Sequence, residues 1–226
     1  MIVIKSQHEI DIMRKAGEIT AIALEKIKDA ISPGITTGDL DRLVEEYIRS
    51  QGAIPSFKGY EGLPGAIRFP ASICASVNNE VVHGIPGSRR LNDGDIISID
   101  IGVFFDGYHG DAARTYAVGK ISEKAEKLIQ VTKESFFEGI KFAVEGNRII
   151  DISGAIQTHA EKHNFSVVRD YVGHGIGREM HEAPQVPNYR TRERGPRLRK
   201  GMTLAIEPMV NEGSYQVKIL DNKWTV

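Results

Sequence analysis

Asp100 stands where a carboxylate is costly, and Asp111 follows it a short way along the chain. Asp100 lies inside Ile96-Ile-Ser-Ile-Asp-Ile-Gly-Val, and Asp111 inside Gly110-Asp-Ala-Ala-Arg-Thr. An unpaired carboxylate in the apolar run around Asp100 loses its hydration and gains no partner. Asp106-Gly107 separates the two runs and is the strongest short hairpin signal available. A two-residue turn there pairs Phe105 with Tyr108, and counting back sets Gly102 opposite Asp111. Asp100 and Asp111 then project from one face as diagonal neighbours, about 7–8 Å apart between backbones. Like charges at that spacing repel unless one is protonated or a cation lies between them. A plainer reading has one Asp bonding turn amides or pairing with Arg114. A glycosidase also uses two carboxylates, so the pair alone names no reaction.

Two further signals narrow the chemistry. Tyr171-Val-Gly-His174-Gly-Ile-Gly-Arg-Glu-Met-His181-Glu182 holds two histidines seven apart among glycines. That spacing is not helical, and an odd separation along one strand would put the rings on opposite faces. The glycines predict a loop where the backbone approaches something closely. Glu207 sits in Met202-Thr-Leu-Ala-Ile-Glu-Pro-Met-Val, which reads as an apolar strand whose Pro208 denies one ladder bond. A carboxylate there calls for a partner, a metal or a proton. Asp100, Asp111, His174 and Glu207 make an oxygen-rich set with one imidazole. Such a set suits manganese, iron, cobalt or zinc rather than a thiolate zinc site. Carboxylate-dominated sets also bridge paired ions about 3.5–4 Å apart, the device of two-metal hydrolases.

Elements that would position these residues are legible along the chain. Ser6 and Glu9 form an S-x-x-E capping box ahead of a helix through Ile10, Met13, Ile19, Leu24 and Ile27, ending at Ser32-Pro33-Gly34. A second helix spans about Thr37 to Arg49, with Gly52 past its end. A Gly- and Pro-rich loop runs from Pro55 to Pro70. Strands are predicted at Ile73–Val77, Ile96–Phe105 and Tyr108–Val118. Helices follow from about Ser122 through Val144 and from Ile149 to Lys162. Further strands are predicted near Ser166–Val168, Thr203–Val210 and Gln216–Leu220. Residues 30–40 align without a gap on residues 142–152, with Gly34 over Gly146 and Asp39 over Asp151. That match implies two related helix–helix–strand halves, roughly 1–120 and 121–226, in an α+β chain.

Composition sets the outer limits. The 226 residues fit one large domain or two small halves sharing a core. A formal charge of −1 predicts neither nucleic-acid nor membrane binding in bulk. A single cysteine, Cys74, rules out an internal disulfide framework and suits a reducing compartment. The amino terminus lacks the pattern of a signal peptide, and no run of about 20 apolar residues spans a bilayer. A cytoplasmic globular protein is expected.

With these motifs in order, the chain resembles the type I methionine aminopeptidases from its first helix to Val226. The resemblance rests on Asn79-Glu-Val-Val-His83-Gly-Ile-Pro86, Gly94-Asp-Ile-Ile-Ser-Ile-Asp100, Gly110-Asp111, Gly173-His174-Gly-Ile-Gly177, His181-Glu182 and Ala205-Ile-Glu207-Pro. It implies the pita-bread (creatinase/aminopeptidase) fold, with two pseudo-symmetric halves around a curved antiparallel sheet. It implies removal of the initiator methionine from new proteins by hydrolysis of the first peptide bond. The substrate is then a peptide N-terminus of Met followed by a small residue. Up to two divalent ions are implied, with Asp100 on one, Asp111 on both, and His174 and Glu207 on the other. Glu207 would also assist proton transfer, His181 would stabilise the carbonyl as it becomes tetrahedral, and His83 would contact the peptide.

The Met pocket of such enzymes is small and apolar. Tyr60, Cys74, Trp224, Phe57, Leu63 and Met180 occupy the matching positions, each of which plain core packing would also explain. Glu61–Pro70 is longer than in the shortest family members. The basic run Arg190, Arg192, Arg194, Arg197, Arg199, Lys200 reads as a solvated loop, or functionally as a ribosomal RNA contact. A monomer is expected. The family's last ligand, a bridging glutamate, follows the segment beginning at Trp224 by about a dozen residues and would lie past Val226. Truncation and a weakened ion pair are therefore expected. Alternatives are an X-Pro peptidase of the same fold, a catalytically impaired form, and a non-enzymatic binding protein.

Overall fold

The computed structural model describes residues 1–62 and 64–226; the pocket candidate Leu63 lies outside the described residues. Two compact units divide the chain. One comprises Asp11–Glu123 with Lys218–Val226, the other Met1–Ile10 with Lys124–Val217. No helix among the described residues is long and apolar enough to cross a membrane.

In the first unit, α1 (Gln7–Ala30) and α2 (Thr37–Ser50) precede β1 (Ile54–Pro55), β2 (Ile73–Val77), β3 (Ile96–Phe105) and β4 (Tyr108–Ala117). Helix α1 opens on the predicted box, with Ser6 N–H donating to Glu9 Oε2 at 2.8 Å. Its partner α2 starts on a second box, in which the Asp39 N–H donates to Thr36 Oγ1 at 3.0 Å. The chain turns between them at Gly34, whose φ of 94° a side chain would disfavour. All four strands are antiparallel, with β3 flanked on one side by β1 and β2 and on the other by β4.

Strand β3 alternates by face. Ile97, Ile99, Ile101 and Val103 are fully buried against Leu24, Ile27, Leu40, Val44 and Ile48 of the helices. Ser98 and Asp100 take the opposite face. Ile101→Ala would leave a cavity under this sheet and should cost about 2–5 kcal/mol in urea unfolding; a cost below ~1 kcal/mol would mean the site collapses freely.

The second unit repeats the plan with α3 (Glu123–Ile140), α4 (Ile149–Lys162), β5 (Phe165–Val167), β6 (Gly173–Gly175), β7 (Glu182–Val186), β8 (Leu204–Ala205) and β9 (Val210–Glu212). β5 pairs with β9, and β6 lies between β7 and β8. The aligned segments fold alike down to individual hydrogen bonds. Gly34 N–H donates to Leu91 O and Gly146 N–H to Leu198 O. Leu91 N–H returns to Ile35 O, and Leu198 N–H to Asn147 O. Isolated bridges Thr36↔Arg90 and Arg148↔Arg197 complete the equivalence.

Three sequence expectations need correction. Thr203–Val210 forms strand only at its ends, as Leu204–Ala205 and the start of Val210–Glu212, leaving Glu207 outside any strand. Pro208 has no N–H to give a ladder, and the chain leaves β8 just before it. Gln216–Leu220 forms no strand. His174, predicted in a loop, lies on β6. That strand is three residues long and too glycine-rich to show alternation.

Candidate functional site

The β3–β4 hairpin fixes the two aspartates. Phe105 pairs with Tyr108 and Gly102 with Asp111, the register that Asp106-Gly107 requires. Asp100 pairs with Ala113, two residues along from Asp111, so both carboxylates leave the same face of the sheet. Both are half-buried. Arg114, the plain alternative partner, is instead tied to Glu25 on the exposed side. Cys74 is the cross-strand neighbour of Asp100 on β2 and is buried.

His83 belongs to the same unit and takes φ 57°, a conformation few non-glycine residues adopt. Burial lowers its pKa below the ordinary imidazole value, and the charge of Asp111 opposes that shift. Neutral imidazole is therefore favoured at neutral pH. Its carbonyl receives the Thr225 hydroxyl at 3.3 Å.

Beside it lies an apolar cluster. Phe69, Ala71 and Cys74 form the buried centre, with Phe57, Ile85 and Trp224 packed on it. Phe69 meets Trp224 edge-on at 5.1 Å and Phe57 at 6.5 Å. Trp224 Nε1–H donates to Ile67 O at 2.8 Å. Three sequence candidates, Phe57, Cys74 and Trp224, are thus brought together. Tyr60 is not in this cluster; the residue is 38% exposed, and its backbone carbonyl receives the Phe69 N–H. Met180 is buried in the second unit. Sequence reasoning misses Phe69 and Ile85. A Phe before Pro70 at the end of a Gly-rich loop is the available signal for the first.

In the second unit, β6 is squeezed between two backbones. A Cβ at Gly173 would collide with Ala205 O, and one at Gly175 with Ala183 O. The close approach predicted from the glycines is present, though on a strand. A register shift between His174 and Gly175 turns the chain. The His174 and His181 rings lie 4.3 Å apart, so spacing along a straight strand is the wrong ruler.

His174 Nδ1 lies 2.8 Å from Gly175 O. A carbonyl only accepts, so Nδ1 carries the proton and a neutral ring presents a lone pair at Nε2. Nε2 faces Glu207 Oε1 at 3.1 Å. That oxygen is buried and accepts no hydrogen bond among the described residues. Two electron-rich atoms turned toward each other need a positive charge, either a second ring proton or a cation. A divalent ion fits this donor set. Glu207 is held from behind by Asn188, fully buried, whose Nδ2–H donates to Glu207 O at 2.7 Å. Asn188 belongs to no motif, and nothing in its sequence neighbourhood marks it.

Residues 11–223 match the model of metallopeptidase family M24. The chain belongs to that family. It is 59% identical to a methionine aminopeptidase of Clostridium perfringens over all of this chain and 88% of the relative. A crystal structure of methionine aminopeptidase from Rickettsia prowazekii superposes with a TM-score of 0.94 at 43% identity, covering 100% of this chain and 89% of that one. Prolidase from Pyrococcus furiosus superposes with a TM-score of 0.77 at 27% identity, over 91% of this chain and 57% of the other. The fold is the pita-bread α+β fold shared by these M24 enzymes.

Proposed function

We infer that the protein is a methionyl aminopeptidase that removes the initiator methionine from newly made proteins. The observation that carries this reading is 59% identity to a methionine aminopeptidase along the entire chain. Asp100, Asp111, His174 and Glu207 are the residues to which we assign up to two divalent ions, manganese, iron, cobalt or zinc. When bound, such ions polarise the scissile carbonyl and make water nucleophilic at neutral pH.

The protein's own groups have separate tasks. To the Glu207 carboxylate we assign assistance of proton transfer. His181, its ring close to that of His174, donates to the carbonyl oxygen as negative charge develops there. His83, kept neutral by burial, contacts the peptide beside the scissile bond. Phe57, Cys74 and Trp224, with Phe69 and Ile85, supply an apolar lining for the Met side chain. Tyr60, Leu63 and Met180 are pocket assignments that rest on the sequence resemblance. A ribosomal partner has weaker support. Arg190, Arg192, Arg194, Arg197, Arg199 and Lys200 are all exposed, and Arg197 Nη1 also donates to Gly146 O at 2.7 Å. The cytoplasm is the proposed site of action.

The test compares Met-Ala and Met-Gly peptides with Ala-Pro dipeptides in the presence of manganese or cobalt. Metal-dependent release of Met is expected, with cleavage of X-Pro bonds lower by at least about 10²-fold, the discrimination a shaped pocket supplies. Cleavage of Ala-Pro without cleavage of the Met peptides would replace this reading with an X-Pro peptidase.

A further inference from the structure

Lys5 is an ammonium with almost no access to water. Its side chain is 3% exposed, and it is ion-paired to Glu182, whose side chain is 10% exposed. Burying two charges is costly, and such pairs often stabilise no better than apolar residues of similar size. The placement of this pair therefore matters more than its existence. Glu182 directly follows His181 and pairs in register with Gly175 across the β6–β7 connection. Its carboxylate serves two groups: Oε2 receives Lys5, and Oε1 receives the Glu179 N–H at 3.3 Å. The tip from Gly175 to Glu182 is thus closed on itself around one carboxylate.

The amino-terminal segment grips this tip at further points. Lys5 N–H donates to Gly201 O at 2.8 Å, which fixes the backbone behind the ammonium. Glu9 reaches Arg178 at 3.6 Å on the same tip. Gly177 is pressed so tightly that a Cβ would lie 2.5 Å from both Lys5 Cε and Glu182 Oε1. His181 is itself exposed. Its ring lies 4.3 Å from that of His174, and the residue that follows it is one half of the buried pair.

We propose that Lys5 is a positioning residue for catalysis, holding His181 at the scissile carbonyl through its ion pair with Glu182. This rests on the role assigned to His181 above. Outer partners that orient a working histidine typically contribute about 10–100-fold. Groups that act as one unit are also non-additive: once the histidine is gone, its support has nothing left to position.

The experiment is a kinetic cycle on the metal-loaded protein with a Met-Ala peptide, using Lys5→Met, Lys5→Arg, His181→Ala and the Lys5→Met/His181→Ala pair. Lys5→Met should lower kcat by about 10–100-fold, with KM and bound metal per chain essentially unchanged. Lys5→Arg, which keeps the charge, should recover most of the loss. Added to His181→Ala, Lys5→Met should lower kcat by less than about twofold. A multiplicative loss in the double variant, or an unaltered kcat in folded Lys5→Met, overturns the proposal. An unaltered kcat in His181→Ala instead shows that the role assigned to His181 is wrong. If Lys5→Met does not fold, Glu182→Asp takes its place in the cycle. It keeps both charges and shortens the tether by one methylene, so it must lower kcat in the parent and leave it unchanged in His181→Ala.

Discussion

Asp111→Asn is expected to lower kcat/KM for a Met-initiated peptide by at least about 10²–10³-fold, the loss seen when one preorganised electrostatic group is removed from an active site. The change is nearly isosteric and leaves the hairpin intact, because the ladder through Gly102↔Asp111 is made by backbone groups. Metal-free stability should therefore not fall, because the change removes one of two like charges on that face. Loss of charge is the whole effect. Asp100 and Asp111 leave one face of the sheet two residues apart, and a cation shared between them would relieve their mutual repulsion. The substituted amide would retain oxygen and nitrogen for hydrogen bonding but halve the charge that this pair offers to the cation. Metal content per chain and peptide cleavage should fall together, and circular dichroism should not change. An unaffected rate would remove Asp111 from the machinery.

That hairpin is legible because its information is local. Asp106-Gly107 dictates a two-residue turn, and a two-residue turn dictates every pair back to Ile96↔Ala117. The helix start at Ser6, with its capping box, is equally local. The second unit is less legible. β6 and β8 are three and two residues long, and neither shows alternation. Their pairing is decided by contact across distant parts of the chain, which no window of sequence contains. The same holds for the site. Side chains that carry charge inside apolar runs announce themselves, as Asp100 and Glu207 do, and the hairpin register then adds Asp111. Asn188 and Phe69 do not, because an amide and a ring have ordinary places elsewhere. Only the hydrogen bond from Asn188 to Glu207 O and the edge-on contact of Phe69 with Trp224 give them meaning. Lys5 is silent in the sequence for the same reason, since a lysine near an amino terminus is ordinarily solvated.

Chelation should abolish peptide cleavage and lower the thermal midpoint by roughly 5–11 °C, and Glu207→Gln should erase that shift while raising the metal-free midpoint. The first figure follows from binding to the native state alone. An ion at about 100 times its Kd adds ~2.7 kcal/mol, and each kcal/mol moves the midpoint of a chain this size by about 2–4 °C. The second part follows from His174. With Nδ1 committed to Gly175 O, Nε2 offers a lone pair 3.1 Å from a buried carboxylate oxygen. In the metal-free protein that contact is repulsive wherever the ring is neutral. A glutamine can present an N–H instead, turning the repulsion into a hydrogen bond worth about 1 kcal/mol. The same glutamine lacks the charge that holds the ion, so activity and the metal-dependent shift should disappear together. An imidazolium–carboxylate ion pair would behave oppositely: Glu207→Gln would then lower the metal-free midpoint, leaving a buried cation without its partner. Differential scanning calorimetry, with and without chelator, separates the two by the sign of one shift.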